Sequence, residues 1–234
     1  GEKAVLRLLD HTPTELGLDA LGMDRTQQEQ FTRALDQPQG LILVTGPTGS
    51  GKTLTLYSGL RHLNNEQSNV ITVEDPVEIR LRGANQIAVN TKLGLGFAQI
   101  LRALMRQDPD VIMIGEIRDI ETATIALRAA QTGHLVLATL HTNSAAKSIN
   151  RLMDMGIARY HLASCLNLVV AQRLVRKLCI HCKKQHMYCV HCHEGYQGRM
   201  GVFEVMTMTD ELTAALNDHT CHSHDFERIA VDAG

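Results

Sequence analysis

An α/β fold built on a largely parallel sheet is predicted by three observations. Short aliphatic or β-branched runs alternate with helix-spaced segments, which is the signature of parallel strands joined by crossover helices. The run "LILV" at 41–44 feeds a glycine-rich loop, "GPTGSGKT", that opens a helical segment. After about residue 176 the alternation breaks into Cys, His and Lys, so a small metal-bearing appendage is expected behind the α/β core.

In chain order, strands are predicted at 41–45, 70–73, 86–89, 111–114 and 135–140, where aliphatic runs are bounded by turn residues. Helical spacing fills the gaps at 51–63, 97–107 and 120–131, the last starting behind Asp119 as its N-cap. Further helices are predicted at 144–154 and 160–171, then a strand at 199–206 and two short helices. The segment 13–176 is expected to form the core, 177–200 a metal-binding segment, and 201–234 a strand with helices. Residues 1–12 read as the end of a preceding domain, because the chain opens on Gly1 with "GEKAVLRLLD" rather than Met. The last elements are expected to run on past Gly234.

Composition narrows the class. With 234 residues, 44% hydrophobic and 21% charged, the chain can bury one sizeable core. A formal charge of -2 supplies no overall drive toward nucleic acid or anionic lipid. The longest apolar runs, 41–44 and 111–114, are far too short to span a bilayer. Six cysteines, four of them in Cys-x-x-Cys pairs, fit a reducing cytoplasm and a bound metal better than a disulfide framework.

The phosphate loop is the strongest signal. Gly46-Pro47-Thr48-Gly49-Ser50-Gly51-Lys52-Thr53, running into Leu54, completes the G-x-x-x-x-G-K-[ST] pattern between a strand and a helix. Backbone N–H groups of such a loop face a nucleotide's phosphates, Lys52 would neutralise the β/γ charge, and Thr53 would ligate Mg²⁺. A second acidic ligand is expected at another strand tip. In "DPDVIMIGEIRD" the usual Asp position is Gly115, so Glu116 is the first carboxylate, while "VITVEDPVE" places Glu74 and Asp75 behind strand 70–73. The reading assigns Glu74 to polarising the attacking water and Glu116 to Mg²⁺; swapped roles remain open, because spacing cannot rank two strand-tip carboxylates. His141 and Thr142, behind strand 135–140, are expected beside the same crevice, and His134 at the opposite end of that strand. Arg102, Arg106 and Arg118 are assigned to surface ion pairs.

Four segments together resemble the type II secretion and type IV pilus assembly ATPases: "GPTGSGKT", "ITVEDPVE", "LMRQDPDVIMIGEIRD" and "TGHLVLATLHTN". Gly115 belongs to that family's pattern. The resemblance covers nearly the whole chain and implies a RecA-like P-loop NTPase core working in a homohexameric ring, powering pilus assembly or secretion through an inner-membrane platform protein. Membrane association would then be through partners only. Carried over, it implies Lys52 and Thr53 on phosphate and Mg²⁺, Glu74 and Glu116 in catalysis, His134 and His141 as the paired histidines, and Arg7 as one arginine reaching the phosphates. Because most of the preceding domain is absent from this chain, it is expected to bind ATP and hydrolyse it poorly. Alternatives are the retraction branch of the same superfamily and a nucleotide-binding, zinc-containing interaction module with little turnover.

"CIHCKKQHMYCVHC" presents Cys179, Cys182, Cys189 and Cys192 as a tetrahedral zinc site built from two facing knuckles. No thioredoxin-like pattern surrounds the pairs, which argues against a redox couple. His181, His186, His191 and His193 crowd the site as substitute ligands, and Lys183 and Lys184 are nearly its only cations, too few for a nucleic-acid finger. In the resembling family the tetracysteine module marks the assembly and secretion branch, with a longer insert between the pairs.

Overall fold

The computed structural model describes residues 17–182, 189–218, 220–221 and 223–232. Among these residues seven strands form one sheet: β1 (Gly40–Thr45), β2 (Val70–Glu74), β3 (Asn85–Ala88), β4 (Val111–Ile114), β5 (Leu135–Leu140), β6 (Leu166–Leu178) and β7 (Tyr196–Thr207). Their order is β3-β2-β4-β5-β1-β6-β7. All pairings are parallel except β6 with β7.

Helices cover both faces. α1 (Arg25–Leu35) and α2 (Lys52–Leu63) lie on one side, and α3 (Phe97–Leu104), α4 (Ile120–Gln131), α5 (Ala145–Asp154), α6 (Arg159–Cys165), α7 (Asp210–Asn217) and α8 (Ser223–Asp232) on the other. Alternate residues of the central strands divide between these layers. Ile42 and Val44 pack with Phe31, Leu56 and Tyr57, whereas Leu41 and Leu43 pack with Ala126, Ile149 and Leu162. Strands buried on both faces read as continuous aliphatic runs, which is why 41–45, 111–114 and 135–140 were legible.

The helix starts have local causes. Asp24 accepts from the Gln27 N–H at 2.9 Å while the Gln27 side chain accepts from the Asp24 N–H at 3.1 Å, a reciprocal cap for α1. Asp119 accepts from the Thr122 N–H at 2.8 Å, as the sequence predicts. α3 stops at Leu104, short of the expected 107. The main correction concerns 160–171. Helix α6 ends at Cys165, and Leu166 enters β6, which pairs with β1 through Leu168, Val169, Val170 and Ala171. These four are buried, and an apolar run buried on both faces has no period to separate strand from helix. The adjacent Val169 and Val170 favour the strand.

Beyond Gln172 the β6–β7 pair leaves the helical layers as a largely exposed ribbon, and the four cysteines lie at its tip. Among the described residues no helix is long and apolar enough to cross a membrane.

Candidate nucleotide site and tetracysteine cluster

The phosphate loop occupies the turn between the end of β1 and the start of α2. Gly46 has φ of +148°, and a Cβ there would stand 2.3 Å from the Gln172 carbonyl oxygen, so only glycine fits. Lys52, 8% exposed, arches over the loop and donates through Nζ to the carbonyls of Gly46 and Pro47 at 2.9 and 3.0 Å. Burial lowers its pKa, opposed by the attraction of Glu116. The Ser50 hydroxyl is buried with no hydrogen-bond partner among the described residues. An orphaned donor beside a folded-back lysine fits a loop built for an anion. Thr53, partly exposed, sits at the first turn of α2, where a hydroxyl ligand for Mg²⁺ is expected.

Glu116, just past β4, faces this loop. Its carboxylate accepts from Arg118 and lies 3.4 Å from His141 Nε2. Burial pushes the Glu116 pKa up, but the Arg118 hydrogen bond and charge, together with His141, outweigh it and hold the group below its usual range. Arg118 also reaches Asp75 at 3.9 Å, so a guanidinium spans the tips of β2 and β4. Gly115 is explained by close approach: a Cβ there would meet the Val73 carbonyl oxygen at 3.3 Å and Glu74 Cα at 3.4 Å. Of the arginines assigned to ion pairing, Arg118 binds Glu116 and Arg102 binds Glu121.

Glu74 is placed differently from Glu116. It is 3% exposed and turned under the sheet edge, where Oε2 accepts from Tyr57 Oη at 2.6 Å and Oε1 from Thr72 Oγ1 at 2.6 Å and Gln86 Nε2 at 3.3 Å. Burial, followed by the hydrogen bond and charge of Glu74, raises the Tyr57 pKa far above its ordinary value. Sequence reasoning did not single out Tyr57, Thr72 or Gln86. The only available signal was Thr72 two residues before Glu74, on the same strand face.

Behind β5, Thr142 joins β1 to α5. Its hydroxyl lies 2.7 Å from both Thr45 Oγ1 and Ser148 Oγ, a partly buried hydroxyl chain leading from the foot of the phosphate loop into a helix. His134 stands at the other end of β5, with Nδ1 3.0 Å from the Ala129 carbonyl oxygen. Glu116 and His141 are therefore brought together, and His134 is not brought to them. Arg7 lies outside the described residues.

At the ribbon tip, the Sγ atoms of Cys179, Cys182, Cys189 and Cys192 all lie within 4.8 Å of one another. Two cross-knuckle pairs, Cys179–Cys189 and Cys182–Cys192, are separated by 4.0 and 3.5 Å. A tetrahedral zinc with Zn–S of about 2.3 Å requires S···S edges of about 3.8 Å, so the cluster fits the ion. Burial pushes the Cys179 and Cys192 thiols up. At Cys179 the N–H groups of Cys182 and His181 outweigh burial and bring the thiol to about 7, whereas Cys192, crowded by its neighbouring sulfurs as well, rises to about 12. The described histidines stay outside the cluster, His181 and His191 stacking on each other at 4.4 Å. His186 and the link 183–188 lie outside the described residues.

A mostly parallel α/β sheet with a Walker-type loop behind β1, and carboxylates at the tips of β2 and β4 along the same end of the sheet, defines the P-loop class of nucleotide-binding folds. Within that class, the profile of the family described as Type II/IV secretion system protein matches residues 1–232, and the chain belongs to that family. It is 53% identical over 237 residues to the type IV pilus assembly ATPase PilB of Pseudomonas aeruginosa, covering 91% of this chain and 42% of that protein. It is 47% identical over 236 residues to the type II secretion system ATPase E of Vibrio cholerae, covering 91% and 47%. Among solved structures, the pilus retraction motor PilT with bound ADP superimposes with a TM-score of 0.77 at 34% identity, over 95% of this chain and 61% of that one. The chain thus spans about half the length of the curated relatives it matches.

Proposed function

We propose that this chain is the ATP-binding and hydrolysing part of a motor that powers pilus assembly or type II secretion. The observation that carries the reading is the convergence of Lys52, Glu116, His141 and Arg118 around an intact phosphate loop. Relatives at about half identity are named as ATPases of those two systems. ATP would lie with its phosphates on residues 46–53, Lys52 exchanging the Gly46 and Pro47 carbonyls for phosphate oxygens. Mg²⁺ would be held by Thr53 and by Glu116, directly or through a water. Bound there, the ion neutralises charge developing on the transferred phosphoryl group.

Glu74 is proposed as the group that polarises water. Both of its oxygens are engaged by Tyr57, Thr72 and Gln86, so it must exchange a donor to act. The opposite assignment, Glu116 on water, is favoured by Glu116 already facing Lys52. His141, bonded to Glu116 and followed by the Thr142–Ser148 hydroxyl chain, would report loss of the γ-phosphate to α5. His134 lies at the opposite end of β5 from this crevice, so a part for it requires a neighbouring copy. A homohexameric ring acting on an inner-membrane platform protein is the proposed assembly, with zinc in the four cysteines as a structural staple.

ATPase rate of the full-length protein measured against its concentration, with Glu74→Gln and Glu116→Gln alongside, tests this. A rate per chain that climbs with concentration, and is abolished by at least one of the two substitutions, is expected. Turnover unaffected by both would refute the assignment. A PilT-like retraction motor remains the second reading, supported by the TM-score of 0.77. The tetracysteine cluster weighs toward assembly.

A further inference from the structure

Gln172 is polar yet only 4% exposed, and it sits where β6 passes the phosphate loop. The register pairs Ala171 with Thr45, so Gln172 comes level with Gly46, the first residue of the loop. Its Oε1 accepts a hydrogen bond from Thr55 Oγ1 at 2.7 Å, in the first turn of α2, at a position that is itself fully buried. The alternative acceptor for that hydroxyl, the Gly51 carbonyl oxygen, is 3.5 Å away and makes a weaker bond. The Gln172 carbonyl oxygen lies 2.3 Å from where a Cβ of Gly46 would stand, and Nε2 lies 2.9 Å from the same point on Gly51.

One residue therefore touches the loop at its start, at its end and in the helix that follows. We propose that Gln172 is a positioning residue for the bound nucleotide, bracing residues 46–51 against β6 so that their N–H groups are held ready for phosphate. A loop already ordered before binding loses less freedom when phosphate arrives, and the gain appears as affinity. A methionine of similar length would fill the same space without freezing a polar rotamer, so packing alone does not require an amide here.

The inference rests on the nucleotide-binding reading, and the experiment separates the two. ADP affinity would be measured by calorimetry for the chain itself and for Lys52→Ala, Gln172→Met, Thr55→Val and the double variant, at a temperature where circular dichroism shows each to be folded. Gln172→Met and Thr55→Val are each expected to weaken ADP by about five- to tenfold, the scale of one net buried hydrogen bond, and the double variant by no more than either alone. Unchanged affinity in Gln172→Met with a lowered melting temperature would mean that the residue serves stability only, and would overturn the inference. If Gln172→Met does not fold, Thr55→Val reads the same bond from its other end, and affinity within twofold of the parent there overturns it equally. Absence of ADP binding by the parent chain, or binding indifferent to Lys52→Ala, would remove the nucleotide reading and this inference with it.

Discussion

Removing the Tyr57 hydroxyl tests how the buried Glu74 is held. Tyr57 is fully buried, so Tyr57→Phe keeps the ring's packing and deletes only the oxygen that donates to Glu74 Oε2 at 2.6 Å and accepts from Gln86 Nε2 at 2.9 Å. Gln86 keeps the Ile79 carbonyl at 2.9 Å, but Oε2 loses the donor described for it. A hydrogen bond to a charged group contributes about 1.5–3 kcal/mol. The expected loss is therefore about 2 kcal/mol, or about 4–8 °C in melting temperature for a chain of this size. Urea unfolding followed by circular dichroism would measure it in two backgrounds, native and Glu74→Gln. With a neutral amide in place of the carboxylate, the same deletion should cost about half as much. A loss under about 0.5 kcal/mol, or an equal loss in both backgrounds, would refute the claim that the Tyr57–carboxylate bond holds this corner.

Acid should weaken the fold through Glu116. Its pKa is held below the ordinary 4.5, so its contribution is complete above the unfolded value and fades as pH falls through the folded one; stability measured from pH 6 to 3 should decline, and less steeply in Glu116→Gln. Chelation of zinc, or Cys182→Ser, should expose the ribbon tip to proteolysis between residues 178 and 196 while the melting transition of the sheet core moves by less than about 2 °C, because the ribbon beyond Gln172 carries little of the core. A large loss of the main transition would contradict that separation. Arg159 donates through Nη1 to the Asp218 and Cys221 carbonyls at 2.9 Å each, with its guanidinium 5.8 Å from the Phe226 ring centroid. Arg159→Ala should speed hydrogen exchange in α7 and α8 by at least tenfold while leaving β1 to β5 protected.

What the sequence made legible follows from which interactions are local. The loop 46–53 and the knuckles at 179–192 are written in contiguous residues, since their chemistry depends on backbone turns and fixed ligand spacing. Strands β1, β4 and β5 were legible because burial on both faces forces aliphatic runs. The same burial hid β6, whose Leu168–Ala171 stretch carries no period; the β-branched Val169 and Val170 lean toward a strand, and pairing with β1 and β7 completes it. Glu74 and Glu116 illustrate the limit at the site itself. Both are strand-tip carboxylates, indistinguishable by spacing, yet one turns inward to Tyr57 on α2 and the other meets Arg118 and His141 beside Lys52. Tyr57 lies 17 positions from Glu74 and His141 lies 25 from Glu116, so the local partners Thr72 and Arg118 alone could not reveal the division. Gln172 was missed for the same reason, because its meaning depends on β6 lying next to β1, a neighbourhood created by the crossover and not by the chain around residue 172. Residues that perform chemistry can be read from motifs; residues that hold those motifs in place are assigned by topology.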